Sequence, residues 1–226
     1  MEERHFAILR RHMVEVIGIH LELARDELGK TELVERVMAA MMRVPRHAFV
    51  PASQRFRAYD NGALSIGHGQ TISQPYIVAL MSDLLGTEPD HVVLEVGTGS
   101  GYQTAVLSLL CATVYSMDLI AALTEEAAER LAQLGFSNVH VRNGNGYEGW
   151  PEHAPYDGII VTAAATHIPG ALVDQLKPGG RLVIPVGQPH MRQELLLLSK
   201  DMQGHTDVRD ILGVAFVPMI DRHGIL

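Results

Sequence analysis

The sequence predicts an α/β fold with a mostly parallel sheet, and three observations support this prediction. An apolar run at residues 92–96 leads into a loop with alternate glycines and then into a helical pattern at 103–110, the order of a strand, a tight turn and a helix. Strand-like and helix-like segments then alternate along the chain. Near the C-terminus two strand-like segments follow each other without a helix, which indicates an antiparallel pair closing the sheet.

The glycine loop indicates a bound ligand. Gly97, Gly99 and Gly101 let the backbone approach a ligand closely, and the helix N-terminus that follows favours negative charge. A dinucleotide-binding fingerprint needs a further glycine where Tyr102 stands. A triphosphate-binding loop needs a lysine directly after its glycines, and no lysine follows the glycines here. The loop therefore favours a nucleoside ligand without a pyrophosphate; the alternative is a tight turn that binds nothing.

Two acidic residues accompany the loop. Glu95 lies two residues before the first glycine, and Asp118 follows the next strand-like run at 112–117. A carboxylate at the end of that strand can accept hydrogen bonds from both ribose hydroxyls, each worth about 1.5–3 kcal/mol. Asp118 is therefore a candidate ribose-binding residue.

Composition limits the domain organisation and the partners. With 226 residues, 47% of them hydrophobic, the chain can bury a core as one domain over residues 1–226. The net charge of −8 argues against a nucleic-acid partner. Cys111 has no second cysteine to pair with, which fits a reducing compartment. Because no segment approaches the ~20 apolar residues of a membrane span, we expect a cytoplasmic protein that binds neither nucleic acid nor membrane.

The first fifty residues, 1–50, are predicted to form a helical addition packed on the main domain. Residues 4–42 divide into two helices near residue 30, and Thr31 is a candidate N-cap of the second helix. The two prolines of 44–51 predict an extended segment, because each disfavours helical geometry in the residue before it.

The segment at 59–74 has no periodic pattern, and a loop of this length in a compact domain is usually functional. His68 in this loop is a candidate base, although an exposed loop histidine is more often only solvated. Pro75 suits the first turn of a helix that runs to Leu85.

The remaining segments complete the alternating pattern. We predict helices at 120–134 and 168–176, and strands at 138–142, 156–162, 181–186, 193–199 and 211–218. Parallel strands joined by crossover helices place a ligand at the carboxyl ends of the strands.

Six segments carry a resemblance to a known family. They are VPRHAFVP at 44–51, GQTISQP at 69–75, LEVGTGSGY at 94–102, VTAAA at 161–165, QLKPGGRLVIPVG at 175–187 and FVP at 216–218. Together they resemble the protein-L-isoaspartate O-methyltransferases over most of the chain, from about residue 44 to 218. The glycine loop alone marks only the wider class of S-adenosylmethionine-dependent methyltransferases, whereas 70–75 is far more specific.

The resemblance implies a fold, a cofactor and a reaction. The fold would be a Rossmann-like class I methyltransferase, with a mostly parallel seven-stranded sheet, helices on both faces and an antiparallel closing strand. S-adenosyl-L-methionine would methylate the carboxylate of an L-isoaspartyl residue in a damaged protein or peptide, leaving S-adenosyl-L-homocysteine. The ester is a better leaving group, so the backbone nitrogen can close a succinimide that reopens partly to normal aspartate. The partners would be isoaspartyl-containing proteins or peptides, and we expect a monomer.

The resemblance also implies roles for individual residues, with no metal. Ser73 would be the catalytic residue that binds the substrate carboxylate, while its alternative role is to cap the helix that begins at Pro75. The cofactor-binding residues would be Gln70, Thr71, Ile72, Glu95, Gly97, Thr98, Gly99, Ser100, Gly101, Asp118, Leu119, Asn145, Gly146 and Thr162. The substrate-binding residues would be Ile72, Ser73, Gln74 and Val217.

Two positions depart from the family pattern and keep other functions open. Asp118 stands where the family commonly has glutamate, and Asn145 stands where it usually has an aspartate that binds the adenine amino group. The alternatives are another carboxylate substrate, or a catalytically degenerate cofactor-binding module. A missing base or metal does not argue against catalysis, since a carboxylate nucleophile is already ionised at neutral pH.

Overall fold

A computed structural model describes residues 3–29, 31–188 and 191–221, which fold around a seven-stranded sheet preceded by a small hairpin. The hairpin pairs β1 (Leu64–Gly67) with β2 (Gln70–Ile72). The sheet contains β3 (Val92–Val96), β4 (Thr113–Asp118), β5 (Val139–Asn143), β6 (Tyr156–Val161), β7 (Leu176–Val186), β8 (Gln193–Lys200) and β9 (Thr206–Val214).

The order of strands across the sheet is β5-β4-β3-β6-β7-β8-β9. The neighbours from β5 to β7 pair in parallel, whereas β8 is antiparallel to both β7 and β9. The predicted Rossmann-like α/β fold, mostly parallel with an antiparallel pair at its end, is confirmed.

The described helices are α1 (Glu3–Leu23), α2 (Arg25–Leu28), α3 (Glu35–Arg43), α4 (Pro75–Leu85), α5 (Tyr102–Ser108), α6 (Ala121–Gln133) and α7 (Gly170–Asp174). The bounds of α4 follow from local chemistry: Pro75 occupies its first turn, and Gly86 ends it in the left-handed conformation with a φ of 64°. Across 3–29, 31–188 and 191–221, no helix combines the length and hydropathy that crossing a bilayer requires.

Helices and loops cover both faces of the sheet. Val93 and Leu94 are neighbours in β3 but belong to separate hydrophobic clusters, because successive side chains of a strand point to opposite faces. The cluster of Val93 includes Met13 of α1 and Leu80 of α4. The cluster of Leu94 includes Leu172 of α7. The N-terminal helices therefore share a core with the sheet.

The predicted loop at 59–74 is wrong in part, because it contains the β1–β2 hairpin. Gly67, His68 and Gly69 make its turn with φ values of 93°, 52° and 71°. Strands of four and three residues are too short to give a recognisable period-2 pattern in the sequence. His68 is exposed at the tip of this turn.

The extended prediction for 44–51 is also wrong in part, since Arg46–Phe49 forms a 3-10 turn. Val44 and Val50, the residues before the two prolines, are extended as predicted, with ψ of 122° and 154°. The proline rule therefore holds for the residues before the prolines, and the 3-10 turn lies between the prolines, where the rule does not apply.

Several element ends differ from the predictions. The strand predicted at 181–186 begins at Leu176, and the helix predicted at 168–176 ends at Asp174. Thr31 does not cap α3, which begins at Glu35; the backbone N–H of Val34 donates to Asp83 Oδ1 at 2.7 Å, a contact with α4 that no local pattern predicts. The last strand, predicted at 211–218, runs from Thr206 to Val214. Residues 216–218 therefore lie outside β9, and hydrogen bonds with Gln193 and Ala164 hold them.

Candidate functional site

A cleft lies at the carboxyl ends of the parallel strands. Its lining includes Val96 at the end of β3, Asp118 at the end of β4 and Thr162 just after β6. The chain order reverses here, because β4 lies on one side of β3 and β6 on the other. Such switch points are where open α/β sheets bind ligands. The cleft has about 830 Å³ of empty space, part of it open to solvent.

The structure brings most of the predicted site residues together around this cleft. Those that line it are Gln70, Thr71, Ile72, Ser73, Gly97, Thr98, Gly99, Ser100, Asp118, Leu119, Gly146, Thr162 and Val217. Gln74 lines an adjoining groove. Glu95, Gly101 and Asn145 line neither the cleft nor the groove.

Hydrogen bonds to β4 and to Thr162 hold the glycine loop in place. The N–H of Gly97 donates to the Met117 carbonyl at 2.7 Å, and the N–H of Gly99 donates to Asp118 Oδ2 at 2.9 Å. Gly97 has a φ of 100°, and a Cβ there would collide with Thr162 Oγ1, which donates to the Gly97 carbonyl at 2.6 Å. The backbone N–H groups of Gly97 and Gly99 therefore already donate within the protein and are not free to bind a phosphate oxygen. This agrees with a ligand that lacks a pyrophosphate.

The Asp118 carboxylate lines the cleft and accepts two backbone hydrogen bonds. Its Oδ1 accepts from the N–H of Ile120 at 3.0 Å, and its Oδ2 accepts from Gly99. Burial raises the pKa of this carboxyl above its usual value, and the backbone hydrogen bonds oppose that shift. Each carboxylate oxygen can accept a second hydrogen bond, so both remain available to hydroxyl donors in the cleft. The space around Gly99 is open, since a Cβ on Gly99 would have its nearest heavy atom, Ile66 Cδ1, at 3.6 Å.

Glu95 is fully buried and supports the loop from within the sheet. Its Oε2 accepts from the Ser116 hydroxyl at 2.6 Å and from the Thr104 hydroxyl, and Ser116 in turn bonds the hydroxyl of Thr98 at 2.7 Å. Burial raises the pKa of Glu95 to about 8, against the lowering effect of Ser116 and Thr104. The carboxyl is therefore mainly protonated at neutral pH, and hydrogen bonds through Ser116 link it to Thr98 in the cleft lining.

Asn145 and Gly101 also contribute indirectly. Asn145 Oδ1 accepts from the N–H of Tyr147 at 3.1 Å, and its Nδ2 donates to Glu148 at 3.0 Å, so both of its side-chain polar atoms bond within its own turn. Gly101 has a φ of 85°, and a Cβ there would lie 3.2 Å from Leu131 of α6. Gly101 therefore lets the loop pack closely on α6.

A second groove adjoins the cleft and shares Thr71, Ser73, Thr162 and Val217 with it. The groove continues along the N-terminal end of α4 and past the end of β9. Its other lining residues are His20, Ala63, Gln74, Tyr76, Ile77, Arg192, Gln193, Leu212, Gly213, Val214, Ala215 and Phe216.

Ser73 lies where the cleft and the groove meet. No side chain caps α4, whose N-cap residue is Gln74, so the alternative role of Ser73 as a helix cap is not observed. Within the described part of the chain the Ser73 hydroxyl has no hydrogen-bond partner. It is therefore available to a ligand.

Several residues of the cleft were not predicted from the sequence. Met219 reaches it because its N–H donates to the Ala164 carbonyl at 2.8 Å, while the N–H of Ala164 donates to the Val217 carbonyl at 2.8 Å. These long-range bonds leave no trace in local pattern. Met117 and Tyr102 also line the cleft. Their positions beside Asp118 and directly after the glycine loop were the available signals.

Sequence comparison relates the chain to known proteins over nearly its full length. Residues 23–224 match the family model described as Protein-L-isoaspartate(D-aspartate) O-methyltransferase. The chain is 57% identical over 218 residues to Protein-L-isoaspartate O-methyltransferase 2 of Syntrophobacter fumaroxidans, covering 96% of this chain and 88% of that protein. It is 59% identical over 207 residues to the protein of the same name from a Polaromonas species, covering 92% and 98%.

Structural comparison gives matching folds. A solved protein-L-isoaspartate O-methyltransferase superposes with a TM-score of 0.79 at 28% identity, and this chain spans 65% of that chain with 92% of its own residues. A Plasmodium falciparum structure, described as a putative protein-L-isoaspartate O-methyltransferase in complex with S-adenosyl-L-homocysteine, gives a TM-score of 0.74 at 23% identity and covers 93% and 97%. At that identity the second match supports the fold alone.

Proposed function

The chain belongs to the protein-L-isoaspartate O-methyltransferase family, and we propose how its cleft and groove perform the reaction of that family. The reaction is the S-adenosylmethionine-dependent methyl esterification of L-isoaspartyl carboxylates in damaged proteins or peptides. It leaves S-adenosyl-L-homocysteine and starts repair through a succinimide. The observation that carries the proposal is the junction of cleft and groove at Thr71, Ser73, Thr162 and Val217.

The cleft is the proposed cofactor site. When bound, S-adenosylmethionine would supply a methyl group on a sulfonium sulfur; a carboxylate oxygen would bond to the methyl carbon as the carbon–sulfur bond breaks, and S-adenosyl-L-homocysteine would leave. Asp118 would hold the ribose through its hydroxyls, and the loop at 97–100 would hold the methionine part. Leu119 and Gly146 would hold the base, and Gln70–Ile72 of β2 would contribute to the same site, since all of them line the cleft.

Three residues predicted to bind the cofactor are proposed to act indirectly, through neighbouring residues. Glu95 holds the loop through Ser116 and Thr98, Gly101 lets the loop pack on α6, and Asn145 shapes the turn that precedes Gly146. Each therefore affects cofactor affinity through the position of a neighbour.

The groove is the proposed peptide site. The Ser73 hydroxyl donates a hydrogen bond to one oxygen of the isoaspartyl carboxylate, which directs the other oxygen toward the cofactor. Ile72 lies on the cofactor side of Ser73, while Gln74 lines the groove and Val217 lines both cavities, so the substrate backbone runs between Gln74 and Val217.

Methyl transfer to the carboxylate requires the side chains mainly to orient the two reactants. The substrate carboxylate is ionised at neutral pH, so no group must remove a proton from it. Holding two reactants in line and excluding water can lower a barrier by up to about 7–11 kcal/mol. The partly buried position of Ser73 between two cavities suits this task.

A paired peptide assay tests the function. The purified protein is incubated with labelled S-adenosylmethionine and either an isoaspartyl peptide or its aspartyl twin. We expect a base-labile methyl ester on the isoaspartyl peptide only. Equal labelling of both peptides, or no labelling when calorimetry shows cofactor binding, would contradict the assignment.

We further propose a cytoplasmic monomer of one domain, without nucleic-acid partners. The edge strand β9 exposes Asp207, Arg209 and Asp210, charges that oppose strand-to-strand pairing between copies. The net charge of −8 disfavours a phosphate backbone, and burial raises the pKa of Cys111 to about 12, which suits an inert thiol. Light scattering after gel filtration tests the monomer, and a dimer mass at micromolar concentration would contradict it.

A further inference from the structure

Arg46 is a fully buried arginine behind the substrate-binding segment. Its Nε donates to the Ala58 carbonyl at 2.7 Å, and one Nη donates to the Ser73 carbonyl at 2.7 Å and to the Gly62 carbonyl at 3.4 Å. The second Nη has no hydrogen-bond partner among the described residues. The guanidinium thus joins three separate backbone segments, one of which is the proposed catalytic residue.

The same guanidinium contacts the cofactor side. Its central carbon lies 4.8 Å from the centre of the Tyr102 ring, a cation–π contact. Tyr102 follows the glycine loop directly, begins α5 and lines the cleft. Arg46 therefore lies between the residue that presents the substrate and the helix that starts from the cofactor loop.

Burying this group is costly, which calls for a compensating role. No described carboxylate forms an ion pair with Arg46; the charged or polar side chains that favour its protonated form are Tyr102 and Tyr59. Burial lowers its pKa to about 10, so the guanidinium remains charged at neutral pH. A buried charge without an ion-pair partner costs free energy, and here the hydrogen bonds to the Ala58 and Ser73 carbonyls and the contact with Tyr102 offset part of that cost.

We infer that Arg46 is a positioning residue, which holds the Ser73 carbonyl and packs on Tyr102 so that the substrate segment keeps a fixed place relative to the cofactor loop. The inference rests on the proposed function of Ser73. The segment 73–74 is the short link between β2 and α4. A hydrogen bond to the Ser73 carbonyl fixes the peptide plane next to the Ser73 Cα, and so restricts the direction in which the side chain projects. Lysine cannot replace this geometry, because an ammonium group lacks the planar fork and the flat stacking surface.

A double-mutant cycle tests the inference. The variants are R46K, S73A and R46K/S73A, and kcat and KM are measured with an isoaspartyl peptide. We expect R46K to lower kcat/KM at least about tenfold in the wild-type background, since small misplacements of reacting groups are that costly. In the S73A background R46K should lower it by less than about twofold, because the group it positions is absent.

A matched control is R181K. Arg181 donates to the Leu84 carbonyl at 3.2 Å, near the C-terminal end of the same helix α4 whose N-terminal end Arg46 supports. We expect R181K to keep wild-type kinetics, and thermal melts report whether each variant is folded.

The outcomes separate the two proposals. An S73A variant with wild-type kinetics would contradict the role of Ser73 itself. If S73A is impaired but R46K has the same effect in both backgrounds, or none, Arg46 does not act through Ser73. If R46K does not fold, R46Q takes its place in the cycle, and failure of both to fold would assign Arg46 to stability and overturn the inference.

Discussion

Gln193 forms two reciprocal hydrogen bonds with the backbone of Phe216. The N–H of Phe216 donates to Gln193 Oε1 at 2.6 Å, and Gln193 Nε2 donates to the Phe216 carbonyl at 3.1 Å. Gln193 begins β8 and is buried, whereas Phe216 follows the end of the last strand. This side chain therefore fixes the segment that carries Val217 to the junction of cleft and groove.

Gln193→Ala should loosen that segment. Both polar groups of the Phe216 backbone lose their partner, so we expect the free energy of unfolding to fall by about 1–3 kcal/mol. The KM for an isoaspartyl peptide should rise, because Phe216 and Val217 line the groove. Urea denaturation and steady-state kinetics measure the two effects. Gln203→Ala, in the exposed turn before β9, is the control, and a Gln193→Ala variant indistinguishable from it would refute the role.

Ser73→Ala should lower turnover while leaving cofactor binding largely intact. A hydrogen bond to a charged group is worth about 1.5–3 kcal/mol, so kcat/KM for the peptide should fall by about tenfold or more. Calorimetry with S-adenosyl-L-homocysteine and steady-state methylation separate the two effects. The exposed Ser137→Ala provides the control. A loss of cofactor affinity with unchanged turnover at saturation would move Ser73 to a structural role.

Asp118→Ala should weaken cofactor binding. Two hydrogen bonds from ribose hydroxyls are lost, so we expect the dissociation constant for S-adenosyl-L-homocysteine to rise at least about tenfold. Because Asp118 also holds Gly99 and Ile120, Asp118→Asn serves as the milder comparison that keeps one acceptor oxygen. Calorimetry measures both variants, and unchanged affinity in Asp118→Ala would rule out the ribose contact.

Asn145→Asp should have little effect on cofactor binding. The Asn145 side chain bonds to Tyr147 and Glu148 within its own turn, and the aspartate keeps the acceptor for Tyr147. We therefore expect the wild type to bind S-adenosyl-L-homocysteine. The dissociation constant of the variant should differ from the wild-type value by less than about threefold, near the low end of the effect of one neutral hydrogen bond. Binding that appears only in Asn145→Asp would indicate a degenerate cofactor site in the wild type.

Glu95 should make the protein less stable as pH rises through the neutral range. Its pKa is raised from 4.5 to about 8 by burial. Between these values the folded state binds one proton more than the unfolded state, so this group's contribution falls by about 1.4 kcal/mol per pH unit and levels off above the folded pKa.

Glu95→Gln removes that titration while keeping the shape of the protonated acid. Urea denaturation at pH 5.5, 6.5 and 7.5 should show the variant gaining stability relative to the wild type at each step upward. Glu129→Gln, an exposed change on α6, should follow the wild type. Parallel pH dependence of wild type and Glu95→Gln would show that the carboxyl is not held protonated.

The fold follows from the sequence wherever local pattern dominates. The run at 92–96, the alternate glycines and Pro75 predict β3, the loop and α4 closely, because strand burial, positive φ and the proline ring act on a few neighbouring residues. The start of α3 and the β1–β2 hairpin escape prediction. The first depends on Asp83, forty-nine positions from Val34, and the strands of the second are too short to show a period.

The site divides in the same way. By itself the sequence determined the glycine loop, the acid at the end of β4 and the family to which the chain belongs. Only the tertiary structure decided that Glu95 is withdrawn from the cleft, that Gln193 fixes Phe216 and that Arg46 holds the Ser73 carbonyl. These contacts join residues 21, 23 and 27 positions apart, and their geometry depends on packing and desolvation in the folded chain, which periodicity does not encode.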